Sequence, residues 1–176
     1  MGIRLIDGLA TENSSDRHHD VVKYSQSVDR EADGATPTTS GERRLPSFEH
    51  LSRFVAALGM EFESVEPSRV VAWIELGSDQ HTPWGVVHGG AYTTAIETAA
   101  SVGASAAVLE RGQFAVGVNN ITDFIRPMVK GRVKVVAEPI HQGTTQQLWE
   151  VKIVRADDGK LLSRGQVRLQ NVDLPS

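Results

Sequence analysis

A chain of 176 residues, 40% of them apolar, is long enough for one domain with a real hydrophobic core. Its formal charge of −4 does not suggest a nucleic-acid binder. The absence of cysteine excludes disulfides, thiolate zinc sites and cysteine nucleophiles together.

The N-terminal stretch is interrupted by Arg4, Asp7 and Gly8, so it carries no secretory apolar core. Ile6 occupies the place where an N-myristoylation pattern wants Ser or Thr. No run approaches the roughly 18 apolar residues that span a bilayer. The expectation is a cytoplasmic protein without membrane association. Residues 10–45 are polar, charged and lack a sustained apolar period, so burial cannot offset their ordering entropy. A mobile arm over 1–45 and a folded domain over 46–176 are expected.

Phe48, Leu51, Phe54, Val55 and Leu58 recur at helical spacing, with Ser47 as N-cap. Met60–Val65 and Arg69–Leu76 read as two strands around the turn Glu66-Pro67-Ser68. After a Gly/Pro loop, Gly89–Leu109 is the longest helix candidate. It is rich in Ala, and Glu97 is its only charged residue. A helix apolar on all sides is a buried one. Strand-like runs follow at Phe114–Phe124, Arg132–His141, Gln146–Arg155 and Leu161–Gln170. In the third, Trp149, Val151 and Ile153 share a face opposite Glu150 and Lys152. Asp157-Asp158-Gly159 makes a hairpin turn. The order lacks βαβ alternation, so the expected class is α+β, an antiparallel sheet wrapped around one helix.

Chemistry concentrates at Val86-Val87-His88-Gly89-Gly90-Ala91. The first turn of a helix exposes unpaired N–H groups at the positive end of its dipole, and glycines let a ligand oxygen reach them. Such a site suits an oxyanion. No Gly-Lys-Ser/Thr follows and no Gly-x-Gly-x-x-Gly is present, so a phosphate loop is disfavoured. The bland alternative is a glycine-rich helix start capped by an imidazole. Glu97 adds weight to function, because a lone carboxylate in an apolar helix costs several kcal/mol unless paired or used. Glu97 lies nine residues past His88, roughly 13–14 Å along the axis. If both serve one carbonyl, they come from different chains of a two-fold dimer. His81, His88, Glu97 and His141 lack metal-ligand spacing, so no metal is expected. His18-His19 reads as solvated arm sequence.

At these residues the sequence resembles the hotdog-fold thioesterases of the PaaI-like, 4-hydroxybenzoyl-CoA thioesterase-like branch. It resembles more closely the enterobactin-biosynthesis proofreading thioesterases. The matching string runs from Gly85 through His88-Gly-Gly to Glu97 and Ser101. It continues at Val116-Gly-Val-Asn119, Arg126-Pro127, Pro139-Ile-His141-Gln-Gly143 and Gln147-Leu-Trp149-Glu150. The resemblance implies a hotdog fold assembled as homodimers or homotetramers, and hydrolysis of acyl-CoA or acyl-carrier-protein thioesters. It implies no cofactor other than coenzyme A as part of the substrate.

By that resemblance, Glu97 is the catalytic carboxylate, acting as general base or as nucleophile. The Gly89 N–H polarises the thioester carbonyl, with His88 beside it. Ser101, one turn beyond Glu97, orients the carboxylate or water, or else is a packing residue. Gly90, Asn119, Arg126 and His141 are the candidates for substrate contact. Arg126 clusters in sequence with Lys130 and Arg132, which could pair with nucleotide phosphates or simply be solvated. Trp84, Tyr92 and Phe124 could wall an acyl pocket or fill the core. One departure stands out. Relatives place Gln or Asn six residues before the histidine, where this chain has Thr82, which has no amide N–H to donate. Two further readings keep the fold: a dehydratase or hydratase, and a non-catalytic acyl-CoA-binding protein. The His-Gly-Gly to Glu spacing favours hydrolysis, and Thr82 lends weight to the binding protein.

Overall fold

A computed structural model describes residues 53–175. The expected arm, its His18-His19 pair and the first turn of the helix expected from Ser47 lie outside those residues. Helix α1 spans Arg53–Ala56. It is followed by β1 (Met60–Glu66), β2 (Arg69–Leu76), α2 (Gly89–Val108), β3 (Gln113–Phe124), β4 (Gly131–Gln142), β5 (Gln146–Arg155) and β6 (Leu161–Asp173). The six strands form one sheet in the order β1-β2-β4-β5-β6-β3, with every pairing antiparallel. One sheet packed on one long helix is the hotdog arrangement. No helix among the described residues is long and apolar enough to cross a membrane.

Period-two alternation builds the sheet's inner face. Trp149, Val151 and Ile153 on β5, Val133, Val135 and Ala137 on β4, and Val167 and Leu169 on β6 are fully buried. The helix meets them with Tyr92, Ala95, Ile96, Ala99, Ala100, Gly103, Ala104 and Val108. Gly103 lowers helix propensity, but a Cβ there would lie 2.6 Å from the Trp149 ring. The glycine is what lets α2 settle onto the tryptophan. At the same end Gln147 is buried, donating to the Ala104 carbonyl at 2.9 Å and to Asn171 Oδ1 at 2.8 Å while accepting from Trp149 Nε1 at 3.0 Å. Buried polar groups are tolerated when satisfied in this way.

The helix departs from expectation in one respect. Its Ala-rich composition predicts burial on all sides, but only the sheet-facing side is buried. Thr94, Glu97, Thr98, Ser101 and Val102 on the other side are half-exposed. A single sheet covers a single side, and these small residues leave the second side shallow.

Strand β3 is an edge strand. After α2 the chain turns through Gly112 and runs back beside the helix, pairing on one side with β6. No strand lies on its other side among the described residues. Val116, Val118, Ile121 and Phe124 on it are exposed.

Candidate active site

The loop before α2 is stapled to its surroundings by backbone bonds. The Val87 N–H donates to the Met128 carbonyl at 2.8 Å, and the His88 N–H donates to the Gln80 carbonyl at 2.7 Å. His81 Nε2 lies 2.6 Å from the Val129 carbonyl. Thr82-Pro83-Trp84-Gly85 forms a tight turn, closed by the Gly85 N–H to the Thr82 carbonyl, and Gly85 takes the positive φ of 76°. These contacts deliver His88 in extended conformation as the N-cap of α2. Its Nδ1 accepts the Gly90 N–H at 2.8 Å, which places the proton of a neutral imidazole on Nε2. The Gly90 donor is thereby used. No acceptor among the described residues takes the Gly89 N–H. The Phe124 ring lies against Gly89, where a Cβ would come within 2.9 Å of its Cζ. The helix start therefore keeps one donor open under the edge of an aromatic ring.

Glu97, eight residues further, is half-buried between α2 and β3. Ser101 Oγ lies 3.4 Å from its Oε1, a long contact. Asn120 Nδ2 donates to its Oε2 at 2.9 Å. The Thr122 hydroxyl lies 2.7 Å from Asn120 Oδ1. Gly117 abuts the carboxylate, and a Cβ at that position would lie 2.1 Å from Oε1. Three contacts thus mark the antiparallel course of β3 along the helix: Ser105 to Ala115, Glu97 to Gly117 and Asn120, and Gly89 to Phe124.

Asn120 was not singled out in the sequence; Asn119 was. Strict alternation from inward-facing Ala115 and Gly117 would turn residue 119 toward the helix. The register of β3 against β6 instead shifts between Gly117 and Asn119. That bulge inverts the alternation, so Asn120 and Thr122 face the helix and Asn119 is exposed. The signal available beforehand was a glycine inside a strand pattern, which marks a bulge or a close backbone approach.

The other candidates are dispersed. The Thr82 hydroxyl is buried and has no partner among the described residues, and the same holds for the Tyr92 hydroxyl. Burial pushes the Tyr92 phenol up, against a smaller downward pull from Arg155. Its ring meets Phe124 at 6.4 Å between centroids, whereas Trp84 is 85% exposed. His141 is exposed near the end of β4, beside Gly143 and at the end of the sheet where Gln147 meets Ala104. Its own chain does not bring it to the helix start. Arg126 donates to the Leu161 carbonyl at 2.6 Å, Arg132 stacks over Trp73, and Lys130 lines a shallow depression with Arg155 and Met128. The three cations thus have different surroundings. Among the described residues no group of three or more His, Asp or Glu side chains is placed to hold a metal ion.

A six-stranded antiparallel sheet on one helix, with His-Gly-Gly at the helix start and a carboxylate nine residues on, defines the hotdog thioesterase class. Comparison with known proteins agrees. Residues 85–162 match the thioesterase superfamily. The Mycobacterium tuberculosis protein Rv1847 is 42% identical over 122 residues, covering 68% of this chain and 86% of that one. Its solved structure superposes with a TM-score of 0.68 over 71% of this chain and 100% of that chain. The 1,4-dihydroxy-2-naphthoyl-CoA hydrolase of Listeria monocytogenes is 34% identical over 54% of this chain and 77% of its own length. The proofreading thioesterase EntH of Klebsiella pneumoniae is 32% identical over 56% and 72% respectively. The chain belongs to the thioesterase superfamily and is a thioesterase.

Proposed function

We propose that the protein hydrolyses acyl or aroyl thioesters carried on coenzyme A or an acyl carrier protein, at a site shared by two subunits. The observation that carries this reading is the separation of its two reactive groups. Eight residues of helix put Glu97 about 12 Å from Gly89 of its own chain, too far for one carbonyl. Strand β3, which has no strand on its outer side among the described residues and carries exposed apolar residues, lies beside both. A second copy pairing along β3 would cover that edge and bring a partner helix start toward Glu97.

In this reading the thioester oxygen accepts the open Gly89 N–H at the positive end of α2, which stabilises the negative charge developing on it. His88 holds that turn through its bond to Gly90, and Ser101 flanks the carboxylate. Glu97 either takes a proton from the attacking water or attacks the carbonyl itself, forming an anhydride that water then opens. In both routes the C–S bond breaks, the thiolate leaves and is protonated, and the acid is released. Gly90, Asn119, Arg126 and His141 remain the candidates for contact with the carrier or the acyl group. The relative that hydrolyses a naphthoyl-CoA supports an aroyl group on coenzyme A.

Thr82 limits the rate in this account. Its hydroxyl is buried and unpartnered, and it cannot supply the amide donor that Gln or Asn supplies at that position. One missing oxyanion donor is worth roughly 10²–10³ in kcat. The same observation lends weight to a second reading, an acyl-CoA-binding protein without turnover, against which the thioesterase relatives stand. Thiol release from a panel of acyl- and aroyl-CoA and acyl-carrier-protein thioesters separates the two. Native protein is expected to turn over at least one of them, and Glu97→Gln to lose roughly 10²–10⁴-fold in kcat while still binding it. Tight binding without turnover by the native protein would establish the second reading instead.

A further inference from the structure

We infer that Asn120 is a positioning residue for the Glu97 carboxylate, anchoring Oε2 so that Oε1 is left as the reacting oxygen. The inference rests on the catalytic reading of Glu97 and goes beyond it by assigning distinct tasks to the two carboxylate oxygens.

The geometry points there in three steps. First, a glutamate on a half-exposed helix face has several rotamers, and the 3.4 Å contact from Ser101 is too long to select one. The 2.9 Å bond from Asn120 Nδ2 to Oε2 is short enough to do so. Second, an amide can present either its N or its O end. Here the Thr122 hydroxyl, 2.7 Å from Oδ1, donates to that oxygen and turns the NH₂ end toward α2. The two amide protons then point at Glu97 Oε2 and, at 3.5 Å, at the Thr93 carbonyl one turn earlier. With the amide reversed, an oxygen would face the carboxylate and repel it. Third, the bulge between Gly117 and Asn119 is what sets Asn120 and Thr122 on the inward face together. Gly117 is the side on which Oε1 rests, since any Cβ there would collide with that oxygen. Oε2 is therefore tied to the edge strand by a short bond, whereas Oε1 carries only the long Ser101 contact. Oε1 is the oxygen able to accept the proton of water or to attack carbon.

The test measures kcat, KM, the pH profile of kcat and thermal unfolding for Asn120→Ala, Asn120→Asp, Thr122→Val and Thr122→Ser, beside Glu97→Gln. Asn120→Ala is expected to lower kcat about 10²-fold with KM little changed, the scale of a misplaced catalytic group. Asn120→Asp sets a second carboxylate against Oε2, so the acid limb of the kcat profile should move up by about one pH unit or more. Thr122→Val, which removes the donor at constant shape, should lose kcat, and Thr122→Ser should keep it. Asn120→Asp is close in shape to the native side chain, so it still reports if Asn120→Ala fails to fold. Native kcat in Asn120→Ala beside a dead Glu97→Gln overturns the inference. So does a loss confined to unfolding temperature or KM with the pH profile unmoved. An active Glu97→Gln overturns instead the catalytic reading on which the inference rests.

Discussion

Glu97 sits where an alanine-rich helix offers its carboxylate only the long Ser101 contact, and its short hydrogen bond comes from a strand that follows it in sequence. The clearest single-residue probe of that contact is Gly117. A methyl group there would lie 2.1 Å from Glu97 Oε1, an impossible distance, and the atom that must yield is the end of a flexible side chain. Gly117→Ala is therefore expected to leave the fold nearly as stable as the native protein while lowering kcat about 10²-fold. Parallel kcat and thermal-melt measurements check this, and native kcat would mean that the carboxylate is not held against β3 during turnover. At this scale the sequence singled out the candidate reactive groups but not their surroundings. Glu97, His88 and Gly89 were legible because a lone acid and a double glycine are conspicuous in an apolar helix. Asn120 was not, because its inward orientation depends on one bulged residue that alternation arguments treat as absent. Thr82 was legible as a departure from the family pattern. That its hydroxyl is buried without a partner was visible only in the structure.

Among the elements, α2 was readable from its long alanine-rich run, the strands from their β-like runs, and β5 from its alternation. Gln146–Arg155 has the boundaries expected of it, and its Trp149, Val151 and Ile153 face inward as alternation requires. The two-sidedness of α2 was not readable. Alanine suits both a buried face and a shallow half-exposed one, so composition alone cannot tell a helix covered all round from one covered on a single side. Helix-to-sheet packing also depends on a polar element that hydrophobic patterning ignores. Gln147 satisfies Trp149 Nε1 and Asn171 Oδ1 beneath the C-terminal half of α2. Gln147→Leu strands both groups in the core at about 1–3 kcal/mol each, so urea unfolding should show a loss of about 2–6 kcal/mol. The site lies toward the other half of the helix, so the folded fraction should keep its kcat. A loss of under 1 kcal/mol would mean that water reaches those groups.

For the molecule as a whole, the proposed division of the site between helix start and mid-helix calls for two chains. The outer edge of β3, unpaired among the described residues, is the surface such an assembly would close. The direct measurement is subunit complementation between two inactive variants. Glu97→Gln lacks the carboxylate. Gly89→Pro lacks the open N–H, at a first-turn position whose backbone accepts proline, with the exposed Phe124 ring shifting to admit the added carbons. If each site takes Glu97 from one subunit and Gly89 from the other, a hybrid dimer carries one intact site and one doubly defective site. Random reassortment of equal amounts, each parent first shown to be folded and dimeric, should then restore about a quarter of the native rate. A mixture that forms hybrid dimers yet stays as inactive as its parents would show that both groups must reside in one chain, and would contradict the shared site.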